Sequence, residues 1–235
     1  MSNKAHIRII GDCHGHVDKP VGSKHTPLDV RAEGRTYLNT IKSADHSIQV
    51  GDLGFSRDWG IVKGQVDGSR HKILGGNHDD YNWIENHKPQ SYLGDFGHWF
   101  FSNFHFFFIR GADSVDKHYR TLGMNYWHQE HLNTKQALEA KCSYIEAKPK
   151  IMISHDIPFS LYPNFITNDW KIENVNPTAT LLDECYENHQ PDVWIFGHHH
   201  NNSIQQHGKT TFICLNEMCY IDIDKDGRWV DGGIQ

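Results

Sequence analysis

The chain has no run near the roughly 18 consecutive apolar residues that a membrane-spanning helix needs, and no apolar stretch follows Met1-Ser2-Asn3-Lys4 as it would in a secretory leader. The expectation is a cytoplasmic protein with no membrane partner. There is no C-x-x-C pair either. The five cysteines, Cys13, Cys142, Cys185, Cys214 and Cys219, are scattered and odd in number, which argues against a disulfide framework and against a structural zinc knuckle. Basic blocks are missing too. With 23 Lys and Arg against 29 Asp and Glu the net charge is -6, so stable binding to a nucleic-acid backbone is not expected. Internal repeats and low-complexity tracts are also absent.

What the chain has in excess is histidine. It carries 19 His and 7 Trp in 235 residues with no terminal tag, which raises the expectation of a metal site. An apolar content of 37% with 22% charged residues is ordinary for a globular protein, and the length suits one sizeable core, hence a single domain over residues 1–235. The oligomeric state is not legible.

Short apolar runs recur, each ending in a polar loop. His6–Ile10 runs into Gly11-Asp12-Cys13-His14, Ser47–Val50 into Gly51-Asp52, and Ile73-Leu74 into Gly75-Gly76-Asn77-His78-Asp79. Later, Lys150–Ile153 leads to Ser154-His155 and Val193–Phe196 to Gly197-His198-His199-His200. Between these runs, helices are predicted over Leu28–Ile41, weakened by Gly34, from a cap at Asn133 or Thr134 to about Ala147, and from Asn176-Pro177 to about Asn188. The second carries an apolar stripe of Ala137, Leu138, Cys142 and Ile145 assigned to the core. Residues 17–30 and the aromatic stretch through Trp170 read as loops, and Thr211–Leu215 with Met218–Ile223 as a terminal strand pair. An aromatic-rich segment, about 81–130, is expected to contain two strands, Trp99–Ser102 and Phe104–Arg110, and to border the substrate.

Five strand ends therefore present Asp, Asn or His. In α/β folds the C-terminal strand ends gather on one edge, where ligands bind, so the five loops are expected to converge. His198 and His200, two apart in an extended segment, would face one way and His199 the other. The combined set of carboxylates, an amide oxygen and imidazoles, with no thiolate, suits two divalent ions such as Mn, Fe or Zn, with Mn the first choice. Two such ions carry about four positive charges against the two of Asp12 and Asp52, a surplus that favours an anion such as a phosphate ester. Two ions roughly 3.5–4 Å apart share a water, lower its pKa towards about 7 and clamp an in-line displacement at phosphorus.

These blocks, in this order, resemble the calcineurin-like metallophosphoesterases, whose pattern is D-x-H, G-D-x-x or G-D-x-G, G-N-H-D/E, a lone H, and G-H-x-H. The resemblance extends over most of the chain. It implies a four-layer α/β/β/α sandwich with the metal site at the C-terminal strand ends. It implies that Asp12, His14 and His200 hold one ion and Asn77, His155 and His198 the other, with Asp52 bridging. His78 would stabilise the phosphoryl transition state or protonate the leaving group, oriented by Asp79. The implied activity is hydrolysis of a small phosphorylated substrate, as a phosphodiesterase or phosphomonoesterase, by a metal-bridging hydroxide. Departures matter as well. The serine/threonine protein phosphatase signature G-D-x-x-D-R-G is missing, since Gly51-Asp52-Leu53-Gly54-Phe55-Ser56-Arg57 stands in its place, and that activity is the alternative; a nuclease or a catalytically silent binding module ranks lower. Arg57, Arg110, His118 and Arg120 are the candidates for binding substrate phosphate. Cys13 and His199 are expected to be structural, and His25, His71, His105 and His207 carry no pattern.

Overall fold

The computed structural model describes residues 6–20, 26–101, 104–114, 116–166, 176–230 and 234. His25, Ser102 and Trp170, each named above, lie outside the described residues. Two sheets dominate. The first joins β1 (Ile7–Ile10), β2 (Ser47–Gln49), β3 (His71–Ile73) and β10 (Tyr220–Ile223) in the order β10-β1-β2-β3, parallel except at β10. The second contains β4 (Phe96–Phe101), β5 (Phe104–Ile109), β6 (Ile151–Ser154), β7 (Val193–Phe196), β8 (Ser203–His207) and β9 (Thr210–Cys214), in the order β4-β5-β6-β7-β9-β8. Its four inner strands are parallel and its two edges antiparallel.

Three apolar clusters define four layers. Ile7, Ile9 and Ile48 of the first sheet meet Phe106, Phe108, Ile153 and Ile195 of the second between the sheets. Outside the first sheet, Ile10 and Ile73 pack under α1 (Leu28–Glu33), α2 (Tyr37–Lys42) and α4 (Tyr81–His87); α3 (Trp59–Val62) lies on the same side. Outside the second sheet, Phe107, Met152 and Trp194 pack under α5 (Thr134–Ala147), α6 (Tyr162–Phe165) and α7 (Pro177–Asn188). Strands covered on both faces by other layers read as near-continuous apolar runs rather than alternating ones, which is why IRII, broken only by the Asp222-paired Arg8, IMIS and VWIF were visible as strands. Among the described residues no helix is long and apolar enough to cross a membrane.

Several expectations are revised. The helix over 28–41 is two, because Gly34 takes a left-handed cap (φ 61°) and Thr36 starts α2 by accepting the Asn39 N–H. The terminal strands do not pair with each other: β9 adds to β7, whereas β10 returns to β1 in the other sheet. Strand β8 was not anticipated, because its alternating, half-exposed pattern on a sheet edge carries few apolar residues. Helix α5 starts from a capping box between Asn133 and Gln136, but its fully buried residues are Ala140 and Tyr144; of the expected stripe, Ala137 packs against the core and Ile145 is half-buried, while Leu138 and Cys142 face outwards. Leu138 is 58% exposed and Cys142 is exposed; Tyr144 turns the helix inwards by packing on Phe107 and donating to the His189 carbonyl. In the aromatic segment, Phe104, Phe106, Phe107 and Phe108 are core residues, and the segment meets the candidate site through Tyr81, which donates to the Gly76 carbonyl, and through Ser114 and Arg120.

Candidate metal centre

All five loops meet at the C-terminal ends of β1, β2, β3, β6 and β7. They do so at a local conformational cost. His14, Asp52, His198 and His200 all have left-handed backbones (φ 43°, 59°, 64° and 47°), a region that costs a non-glycine residue roughly 1–3 kcal/mol and that clusters at functional sites. His198 and His200 thus reach the site by two tight turns rather than by strand alternation. Glycine makes the close approach possible. A Cβ at Gly76 would strike Asp52 Oδ1 and sit 2.7 Å from His155 Nε2, and one at Gly197 would strike Asp12 Oδ1.

Asp12 Oδ2 lies 3.5 Å from His14 Nε2 and 3.3 Å from His200 Nε2, and those two nitrogens approach to 2.9 Å. Asp12 also accepts the His198 N–H. On the other side, His155 Nε2 is 3.2 Å from Asn77 Oδ1, and the His198 ring centroid is 5.1 Å from that of His155. Asp52 stands between the halves: its Oδ1 accepts the His78 N–H (2.8 Å), and its Oδ2 is 3.4 Å from both His14 Nε2 and His155 Nε2. That Oδ2 is buried and has no hydrogen-bond partner among the described residues.

The neighbouring groups orient the imidazoles. His155 Nδ1 donates to the Val50 carbonyl (2.8 Å), which leaves Nε2 facing the centre, and Glu217 Oε1 lies 3.3 Å from His200 Nδ1. Glu217 itself accepts from Thr26 (2.6 Å). His199 turns away to Asp156, 3.1 Å from its Oδ1, and Asp156 also accepts from Tyr162 and Asn176. Cys13 is buried in the core beneath the helices, where burial pushes its thiol pKa up. Glu217 and Asp156 were missed in the sequence: Glu217 follows none of the five strand ends, and Asp156, although it stands next to His155, meets His199 only through the fold.

The electrostatics favour cations. Burial alone would raise the pKa of Asp12 and Asp52, but His155 and the other imidazoles hold both carboxyls far below the usual range. Burial opposes protonation of His14 and His155, yet Asp12 and Asp52 raise them to about 9 and about 10. Desolvation pulls His198 down to about 3, so it stays neutral. An oxygen and nitrogen donor set without thiolate, an unpaired carboxylate oxygen between two imidazoles, and two sub-clusters (Asp12/His14/His200 and Asp12/Asp52/His155) fit a pair of divalent cations.

Asp79 does not face the His78 ring, as the sequence led us to expect. It is fully buried and accepts the N–H groups of Asp52 (3.1 Å), Gly54 (2.8 Å), Phe55 (3.1 Å) and Gly76 (2.9 Å), fastening the β2 loop to the β3 loop. Burial and the nearby Asp52 raise its pKa to about 6 against those donors. The residue at His78 is Arg120, whose guanidinium nitrogens lie 3.0 Å from Nε2 and 3.3 Å from Nδ1. His78 keeps one side open to solvent, but the atoms crowding its ring, with His14 and Arg120 beside it, lower its pKa to about 4. Arg110, another expected phosphate contact, is a structural cation: it is buried, 2.5 Å from Asp95, 4.0 Å over the Tyr81 ring, and bound to the Gln129 carbonyl. Arg57 pairs with Asp58 (2.6 Å) at the surface beside Gly54, and His118 is exposed with its ring against Tyr119. A cavity of about 590 Å³ lined by Lys150, Asp192, Thr211 and Arg228 lies at the opposite, N-terminal ends of β6 and β7, and none of the candidate ligands lines it.

No family model matches the chain, and no curated protein matches it. Solved structures do. Phosphopantetheinyl hydrolase from Mycobacterium tuberculosis aligns with 92% of this chain and 91% of its own at 11% identity and a TM-score of 0.54. A putative 5'-nucleotidase from Staphylococcus aureus aligns with 99% of this chain and 53% of its own at 13% identity and a TM-score of 0.51. Sulfate thiohydrolase SoxB from Thermus thermophilus aligns with 99% of this chain and 56% of its own at 9% identity and a TM-score of 0.50. This chain spans about half the length of the latter two. The architecture is the calcineurin-like metallophosphoesterase sandwich. Its members here bear three different named activities, so the substrate has to be argued from the site.

Proposed function

We propose that the chain is a binuclear metal-dependent phosphoesterase acting on a small phosphorylated substrate. The observation that carries this reading is Asp52 Oδ2, buried, without a hydrogen-bond partner among the described residues, and 3.4 Å from an imidazole nitrogen on either side. A carboxylate so placed would serve both halves of the site, Asp12, His14 and His200 would hold one ion, and Asn77, His155 and His198 would hold the other. Mn is the first choice of metal, with Fe and Zn as alternatives. When bound, the ions supply Lewis acidity and a nucleophilic water of lowered pKa.

The chain's own residues do the rest. Asp12 and Asp52 offset about half of the charge of two divalent ions, and the surplus draws an anionic ester. Arg120 pairs through Nε with Asp116 (2.6 Å) and turns its other two guanidinium nitrogens to the side of the centre where His78 stands, suited to a non-bridging phosphoryl oxygen. His78 remains neutral near pH 7, and added cations push it the same way, so it acts as a hydrogen-bond donor to the developing phosphoryl charge rather than as an imidazolium acid. Purified protein supplied with Mn²⁺ should hydrolyse p-nitrophenyl phosphate or bis-p-nitrophenyl phosphate and lose that activity to a chelator. No turnover of either ester with Mn²⁺, Fe²⁺ or Zn²⁺ overturns the reading.

A further inference from the structure

We propose that Ser114 and Glu130 are positioning residues that fix which end of the Asn77 amide faces the centre, and so set the affinity of one of its two metal positions. The inference rests on the binuclear reading above. An asparagine ligand works only if its oxygen, not its NH2, points at the cation, and the amide alone has no preference between the two. Here the NH2 is spoken for: Asn77 Nδ2 donates to Ser114 Oγ (3.0 Å), which leaves Oδ1 on the His155 side.

Ser114 can accept that bond because its own proton is committed elsewhere. Its Oγ–H donates to Glu130 Oε2 (2.6 Å), and its backbone N–H donates to Glu130 Oε1 (3.2 Å). Glu130 when ionised only accepts, so at about pH 8 the hydroxyl has one orientation and presents a lone pair to Asn77. Without Glu130 the hydroxyl could turn and donate to Asn77, which would favour the reversed amide. Asn77, Ser114 and Glu130 are all buried, so water does not compete for these bonds. The segment is held in place independently: Gly111 N–H donates to the Gly75 carbonyl (2.9 Å), and a Cβ at Gly111 would strike the Glu130 carbonyl. Nothing in the sequence marks Ser114 or Glu130, which belong to no motif.

The test is calorimetric titration of metal-stripped protein with Mn²⁺ at about pH 8, where Glu130 is ionised, with thermal melting of the metal-free protein alongside. Wild type should bind in two steps. Ser114→Ala should weaken one step by about 10- to 100-fold, the usual effect of removing a group that orients a ligand, and leave the other step unchanged, while the metal-free protein melts lower because the Asn77 NH2 and a Glu130 oxygen lose a buried partner. Ser114→Thr, which keeps the hydroxyl, should return the affected step towards wild type. Glu130→Ala should weaken the same step as Ser114→Ala; should it fail to fold, Ser114→Ala decides alone. A Ser114→Ala isotherm identical to wild type, or equal weakening of both steps, overturns the inference. One Mn²⁺ bound per chain in wild type instead refutes the binuclear reading itself.

Discussion

Replacing Asp79 by Ala should damage stability and metal binding before it damages chemistry. Four backbone N–H groups, from Asp52, Gly54, Phe55 and Gly76, donate to its two oxygens at 2.8–3.1 Å in a fully buried position. An orphaned buried donor costs about 1–3 kcal/mol; taking the low end for all four, since water can enter the space left by the side chain, gives about 4 kcal/mol. That is a large part of the roughly 5–15 kcal/mol that holds a domain together. Asp79→Asn should be no milder. One oxygen could keep the Gly54 and Phe55 donors, but the NH2 would then confront the N–H groups of Asp52 and Gly76. The assay is urea unfolding of metal-free protein, followed by metal content after reloading. A variant within about 1 kcal/mol of wild type that binds metal fully and loses only turnover would refute this account and restore a catalytic role of Asp79 through His78.

His78→Ala should lower turnover of an aryl phosphate by about 10²–10³-fold with metal content unchanged, as steady-state kinetics and metal analysis would read it. Arg120→Met should raise KM and lower kcat, whereas Arg110→Met should leave KM near wild type and lower the unfolding midpoint. For Glu130, burial raises the folded pKa from 4.5 to about 7. The folded state therefore disfavours its ionisation: stability is full below about pH 4.5, falls as the pH rises towards 7 and levels off above it, a loss on the order of 3 kcal/mol at most. Glu130→Gln should flatten that slope in urea titrations between pH 4.5 and 8, and a slope equal to wild type would show the burial argument to be wrong.

The proposed ligands were legible because each sits one to five residues past a short strand that closes on or beside an apolar residue, so both strand and loop announce themselves locally: Ile10 before Asp12, Val50 before Asp52, Phe196 before His198. Roles that depend on distant partners were not legible. Asp79 follows His78 directly, and adjacency suggested that it served the ring; its hydrogen bonds run instead to a loop some 25 residues earlier. Arg110 read as a free cation because Asp95 and Tyr81 meet it only through the fold. Glu217 meets His200 and Ser114 meets Asn77 across separations no local pattern encodes. The buried face of α5 was misjudged because small Ala140 and Tyr144 form it while larger Leu138 points outwards.

The central claim is a pair of ions bridged by Asp52, and electron paramagnetic resonance of Mn²⁺-loaded protein tests it most directly. The account predicts an exchange-coupled spectrum from ions roughly 3.5–4 Å apart at about two per chain, replaced in Asp52→Ala by the spectrum of isolated ions. Isolated Mn²⁺ signals in the wild-type protein at saturation, or coupling that survives Asp52→Ala unchanged, would contradict it.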